Sequence, residues 1–432
     1  MEIHQTDVSG NQRKHPLLKI LMVDKYYFIK GGAERYMFEL SALLERHGHT
    51  VVPFAMRHPE NAEAATEPYF VSQVDYDDTV SFRNRIRQAV RIFYSREARR
   101  SVEALILKYR PDIAHLHMID HQISPSILHA FRKHRIPVIQ TVHQYKLICP
   151  NYRLYNPGTG QICEKCLKGC PFYPIKTRCH RESRNAGLAI ALEAWLHRSI
   201  GIYKTVGVFH SPSHFMKRKL VEGGIPGNRI HHLFYTLDLD AFHYEPDHDD
   251  YFVFVGRLSH EKGLVTLLKA MAGIQNGNLK IVGDGPLRPT LEEFAADFKL
   301  KHVSFLGNQP KQAVQELVSR AQFLVCPSEW YENSPLVIYE ALAVGTPVIG
   351  AAIGGIPELI LSGETGDLFP PGDVMALRRC IQGFLDNPMK IRVMARNARA
   401  HAEALFHPDL HYRQIMRVYR HLIEKTNPPE DD

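Results

Sequence analysis

The sequence predicts an α/β protein made of two doubly wound, parallel-sheet domains that face a shared cleft. Three observations carry this expectation. Two segments read as the opening strand of such a domain, each followed by a glycine turn and an amphipathic helix. Short apolar runs alternate with longer amphipathic stretches along most of the chain, which implies parallel sheets covered on both faces. An acidic, proline-containing stretch without periodicity separates the two halves.

In chain order, the first opening strand is residues 17–23, L-L-K-I-L-M-V. A loop with Gly31-Gly32 follows, and a helix is expected over about 33–47, with Tyr36, Leu40, Leu43 and Leu44 at helical spacing. Apolar runs at 113–116 and 138–142 read as further strands. This first domain is expected to span 17–237, with a cysteine-rich insertion at 149–180. Residues 238–250, D-L-D-A-F-H-Y-E-P-D-H-D-D, read as the linker. The second domain, 251–410, opens with the strand Y-F-V-F-V at 251–255 and a helix over about 263–272. Strands are expected at 279–282, 303–306, 323–326 and 347–350. Residues 411–432 form a terminal helix and tail, with no strand after them, so the helix at 411–425 could pack across either domain.

A chain of 432 residues is long enough for two or three such domains. With 44% hydrophobic and 23% charged residues, disorder, collagen and coiled coil are excluded. Lys and Arg number 53 against 46 Asp and Glu, a formal charge of +7, which fits anionic ligands such as nucleotides, nucleic acid or acidic lipid headgroups. The long uncharged stretch at 341–357 is broken by glycines and prolines, unlike a bilayer helix of about 20 apolar residues. Residues 1–15 are polar and lack the apolar core of a secretion signal. A cytoplasmic location, at the inner face of the membrane if membrane-associated, is therefore expected. Cysteines there stay reduced or bind metal.

The densest chemistry lies in the second half. Gly256-Arg257-Leu258-Ser259-His260-Glu261-Lys262-Gly263 leaves a strand and opens a helix. Glycines allow the tight turn, a helix start offers unpaired N–H groups to an anion, and Arg257 and Lys262 add two cations suited to a diphosphate. Gly283-Asp284-Gly285-Pro286 is a second strand-to-glycine turn. Glu332 and Glu340 then bracket seven residues in which Asn333 or Ser334 can cap a helix, with Pro335 in its first turn. Glu340 can accept hydrogen bonds from sugar hydroxyls.

Taken in register, G-G-A-E at 31–34, G-R-L-x-x-E-K-G at 256–263, G-D-G-P, the glutamate pair and G-T-P-V-I-G with G-G-I-P-E at 345–358 are recognisable. The sequence resembles the family 4 glycosyltransferases, retaining enzymes of the GT-B fold, over about residues 17–420. That resemblance implies roles for matching positions. Arg257 and Lys262 would hold the donor diphosphate and stabilise the charge developing on the leaving group. Glu332 would contact the donor sugar, and Glu340 the ribose hydroxyls. Ser334, Pro335 and Leu336 would place backbone amides near the distal phosphate. Gly31, Gly32, Gly256, Gly283 and Gly285 would let loops approach the donor, and His143 would lie over the reacting sugar. The resemblance further implies a nucleotide-diphosphate sugar donor of UDP or GDP type, a glycan or lipid-linked hydroxyl as acceptor in cell-surface polysaccharide synthesis, and no need of a catalytic metal. Where many members read N-G-I-D before the linker, this chain has Tyr235-Thr236-Leu237-Asp238.

Three features stay open between two readings. His117 either lines the acceptor side of the cleft or is a satisfied core histidine. Cys149, Cys163, Cys166 and Cys179 either form a structural four-thiolate zinc site, with Cys170 or His180 as substitutes, or are reduced thiols in a loop packed by tyrosines and prolines. Residues 82–100, with seven arginines and Phe82, Ile86, Val90 and Phe93 at helical spacing, form either a basic helix on anionic membrane or a solvated basic face. No base-stacking array accompanies the charge, so nucleic acid is not an expected partner. The rivals to sugar transfer are a nucleotide-sugar epimerase or hydrolase on the same scaffold and an inactive, zinc-stabilised binding subunit.

Overall fold

The computed structural model describes residues 16–73, 91, 93–244 and 247–426. Its strands form two six-stranded parallel sheets and one small hairpin. The first sheet has the order β2-β1-β3-β4-β7-β8, from β1 (Lys19–Val23), β2 (Thr50–Phe54), β3 (Ile113–Leu116), β4 (Val138–Thr141), β7 (Val208–Ser211) and β8 (Ile230–His232). β5 (Tyr155–Asn156) and β6 (Gln161–Ile162) pair antiparallel in the hairpin. The second sheet has the order β11-β10-β9-β12-β13-β14, from β9 (Phe252–Val255), β10 (Leu279–Val282), β11 (Val303–Gly307), β12 (Leu324–Cys326), β13 (Val348–Ala351) and β14 (Gly366–Phe369).

The helices are α1 (Gly32–Arg46), α2 (Arg96–Tyr109), α3 (Leu128–Lys133), α4 (Tyr173–Thr177), α5 (Arg184–Ser199) and α6 (His214–Glu222) with the first sheet. α7 (Leu264–Met271), α8 (Arg288–Asp297), α9 (Lys311–Ser319), α10 (Leu336–Ala343), α11 (Val374–Leu385) and α12 (Pro388–Phe406) accompany the second, and α13 (Pro408–Thr426) ends the described chain. Alternation along β1 divides its side chains between two cores. Ile20 and Met22 belong to the cluster that runs into α13 and the second sheet, whereas Leu21 and Val23 pack with Val102 of α2 and Phe131 of α3. Several helices start at a side-chain cap: Ser95 accepts from the Ala98 N–H, Ser183 from Ala186, Ser213 from Met216 and Asp373 from Ala376.

One expectation needs correcting here. Residues 82–100 do not form one helix: the chain is non-helical at Tyr94 and Ser95, and the Ser95 cap starts a separate helix, α2. Residues 82–90 and 92 lie outside the described residues. The terminal helix, expected to be able to pack across either domain, spans Pro408–Thr426 and crosses to the first sheet. There the Tyr419 hydroxyl meets His115 at 2.7 Å, and His411 meets Tyr36 at 2.9 Å.

Candidate functional site

A cleft of about 870 Å³ lies between the two sheets. On the first side it is lined by Gly31, Gly32 and Arg35 at the start of α1 and by His143 just beyond β4. On the other side stand Gly256, Arg257 and Lys262 after β9, with Glu332, Ser334, Pro335, Leu336 and Glu340 around the start of α10. Both walls thus follow the carboxyl ends of parallel strands, where open α/β sheets bind ligands. The walls also touch: a Cβ added to Gly32 would sit 3.3 Å from Leu336 Cδ1.

Lys262 Nζ donates to Glu332 Oε1 at 2.6 Å, and Ser328 Oγ donates to the same oxygen at 2.8 Å. Burial by itself would lower the lysine pKa and raise that of the glutamate. The ion pair outweighs burial in both, so Lys262 is raised and Glu332 lowered, and both stay charged. Arg257 is exposed, and among the described residues it forms no ion pair. Its guanidinium therefore remains available to an anion. Glu340 pairs across the cleft with Arg35.

His143 lies beside a hydrogen-bonded string of neutral rings. The Leu233 carbonyl accepts from His210 Nε2 (2.8 Å), which leaves His210 Nδ1 to accept from Thr141 (2.9 Å). Thr141 then accepts from His115 Nε2 (2.7 Å), and His115 Nδ1 accepts from Tyr419. Next to this string, His117 Nε2 faces the Met22 sulfur at 3.1 Å, so its Nδ1 accepts from His143 Nε2 at 3.0 Å. His143 Nδ1 is left to accept from the Tyr235 hydroxyl at 2.8 Å. These tautomers are assigned by the partners. Burial, followed by the neighbouring His210 and Lys25, lowers the His143 pKa to about 3.

The structure sorts the remaining expectations. His117 is buried behind His143 as a satisfied core histidine and does not line the cleft. Gly283 and Gly285 also lie off the cleft. A Cβ on either would fall 2.0 Å from Gly256 O or 2.4 Å from Leu258 O, so these glycines let the second turn pack beneath the first. Neither Asn333 nor Ser334 caps α10. Pro335 occupies the cap position without a side-chain bond, Ser334 Oγ meets the Tyr339 hydroxyl at 2.6 Å, and Asn333 Nδ2 donates to Val142 O across the cleft at 3.0 Å.

The zinc expectation is also corrected. Among the described residues, no three His, Cys, Asp or Glu side chains are arranged to hold a metal ion. Cys149, Cys166 and Cys179 are buried and Cys163 is half-buried, near enough that the other three reinforce burial in raising the Cys166 pKa. The loop is held by other means. Leu154, Tyr155 and Leu167 bury their side chains, and Arg198 donates to the carbonyls of Ile148 (3.1 Å) and Gly169 (3.2 Å).

Sequence reasoning missed two cleft residues, Arg35 and Tyr235, and the interdomain role of Glu358. Arg35 follows Gly31-Gly32-Ala33-Glu34 directly, in a helix whose sequence signal is its apolar spacing. Tyr235 marked a departure from a common turn, although its hydroxyl fixes His143. Glu358, of G-G-I-P-E, accepts from the N–H groups of His214 and Phe215 at 2.6 Å each, so the second domain caps a helix of the first.

Comparison with known proteins agrees with this architecture. A family model described as Glycosyltransferase Family 4 matches residues 30–240, and one described as Glycosyl transferases group 1 matches 238–401. An uncharacterised 42.6 kDa protein in the cps region of Klebsiella pneumoniae is 27% identical over 363 residues, 79% of this chain and 86% of that one. The amylovoran biosynthesis glycosyltransferase AmsK of Erwinia amylovora is 30% identical over 178 residues, 39% of this chain and 44% of that one. The crystal structure of Anabaena Alr3699/HepE in complex with UDP-glucose superposes with a TM-score of 0.65 at 17% identity, covering 94% of this chain and 100% of that chain.

Proposed function

The chain belongs to the family 4 glycosyltransferases, retaining enzymes that use nucleotide sugars, and from that premise we propose that it moves a hexose-type sugar from a UDP-type donor to a hydroxyl of a glycan or lipid-linked acceptor. One observation carries the residue assignments: two cations, an adjoining helix start, a glycine loop and an imidazole line a single cleft.

In this reading the diphosphate lies between Arg257, Lys262 and the backbone amides around Ser334, Pro335 and Leu336. As the glycosidic bond to the sugar lengthens, negative charge grows on the leaving phosphate oxygen. The two cations are already in place to receive it, so little reorganisation is needed. Glu332 keeps Lys262 charged and contacts the sugar. Ribose hydroxyls compete with Arg35 for Glu340. Gly31 and Gly32 leave the facing wall without side chains at its closest approach, and His143 covers the sugar as a neutral ring. A UDP donor is favoured by the likeness to a protein solved with UDP-glucose. Cell-surface polysaccharide synthesis is favoured by relatives ascribed to amylovoran biosynthesis and to a cps region.

The test is transfer itself. Labelled UDP-sugars are offered with lipid and glycan fractions, and label on an acceptor with the anomeric configuration retained supports the reading. Release of free sugar alone, or of an isomerised donor, replaces transfer with hydrolysis or epimerisation.

A further inference from the structure

Helix α5 (Arg184–Ser199) lies behind the acceptor-side wall and has two unlike faces. Its inner face is committed. Glu193 is 1% exposed and pairs with Lys146 at 2.7 Å, His197 meets the Phe93 carbonyl at 2.9 Å, and Arg198 grips the loop that follows His143. The outer face carries Leu188, Leu192 and Trp195, spaced four and three residues apart, with Ile200 just beyond the helix. They are 42%, 37%, 49% and 49% exposed. A stripe of large apolar side chains open to solvent, with an indole among them, is a docking feature rather than scatter.

Charge identifies what it docks to. Arg178, Arg181 and Arg184 are exposed before or at the start of the helix, and Lys204 beyond its end. Of the acids in this stretch, Glu182 is exposed and Glu193 is buried in its ion pair. The Phe93 carbonyl, two residues beyond Arg91, also meets α5 through His197. A second copy of the chain meeting this face, parallel or antiparallel, would bring cations against cations. A surface carrying lipid phosphates would satisfy both ends of the stripe. Among the described residues no helix is long and apolar enough to cross a membrane, so α5 would lie on the bilayer, not in it.

We propose that the Leu188–Leu192–Trp195–Ile200 face of α5 docks the enzyme on an anionic bilayer. Because the opposite face holds the loop carrying Gln144 and Tyr145 of the cleft, a lipid-linked acceptor anchored in that bilayer presents its hydroxyl to the first wall. This rests on the lipid-linked form of the acceptor proposed above and names where its lipid lies.

The full chain is sedimented with vesicles of phosphatidylcholine containing 30% phosphatidylglycerol, and with phosphatidylcholine alone. Expected are binding to the anionic vesicles only, a blue shift of emission that is lost in Trp195→Phe, and a drop in partitioning of at least about tenfold for Leu192→Ser/Trp195→Ser and for Arg181→Glu/Arg184→Glu. Stabilisation by UDP, read by thermal shift, shows that each variant is folded. Equal partitioning of wild type and folded variants overturns the proposal. So does a wild-type dimer in sedimentation velocity that Leu192→Ser/Trp195→Ser dissociates. Vesicle binding without any UDP stabilisation overturns the donor reading and leaves the membrane face standing.

Discussion

Glu332 is almost wholly buried, and its charge persists because Lys262 and Ser328 both donate to it. Removing the lysine therefore does two things at once. Lys262→Ala withdraws a cation from the proposed leaving group and is expected to lower kcat by about 100-fold or more. It also strands a buried carboxylate, at about 2 kcal/mol of stability, between the values for an exposed and a fully buried pair. The double variant Lys262→Met/Glu332→Gln should recover stability without recovering kcat, as chemical denaturation and steady-state kinetics on the same samples would show. Recovery of kcat would remove Lys262 from the chemistry. Arg35 gives the opposite sign. It occupies the carboxylate that the proposed ribose needs, while its own Nε is buried without a hydrogen-bond partner. Arg35→Ala should tighten UDP binding about two- to fivefold in titration calorimetry, the scale of a partly screened ion pair. Weaker binding would make Arg35 a ligand of the donor instead.

At the scale of elements, the alternation of apolar runs and amphipathic stretches located β1, β3, β4 and each strand from β9 to β13 within a residue or two. It left β2, β7, β8 and β14 unnamed, because their apolar runs are broken by Thr50 and Pro53, by His210 and Ser211, by His231 and His232, and by Gly366 and Asp367. The helix expected over 82–100 failed for a different reason. Its apolar spacing ends at Phe93, and a serine followed by Arg96 and Glu97 is a helix start of its own, so the cap prevailed. The glycine motifs were legible as turns, yet part of their purpose is packing of loop on loop. A Cβ on Gly355 would fall 1.9 Å from Asn333 O, in the backbone that carries Glu332 and Ser334. Gly355→Ala must therefore displace that loop, although residue 355 touches no proposed ligand group. Expected are a loss of about 1–3 kcal/mol in denaturant unfolding and a raised donor KM. An unchanged KM would show that the loop position does not set donor binding.

At the scale of the whole molecule, the first sheet, α1 and α13 are joined through groups that only the tertiary fold brings together. His115, Thr141 and His210 come from three adjacent strands, Tyr36 from α1, and His411 and Tyr419 from α13. Sequence spacing carries no signal of such partners, since neither a period of two nor one of 3.6 extends across hundreds of residues. The network has a measurable consequence in acid. Burial is the first cause holding His143 and His210 at about 3 and His411 at about 4, against 6.5 in an unfolded chain. Between about pH 6.5 and pH 4, the unfolded chain binds protons that the native one refuses. Stability is thus intact above 6.5 and falls as the pH drops, by about 1 kcal/mol per histidine per pH unit. Thermal unfolding should show little change from pH 8 to 7 and a steep fall from 6.5 to 4.5. His411→Gln should lessen the slope, because glutamine has no proton to gain, even though it weakens the contact with Tyr36. A profile level down to pH 4.5 would mean that these rings are charged in the native protein, and the tautomers that aim His143 at His117 and Tyr235 would then be wrong.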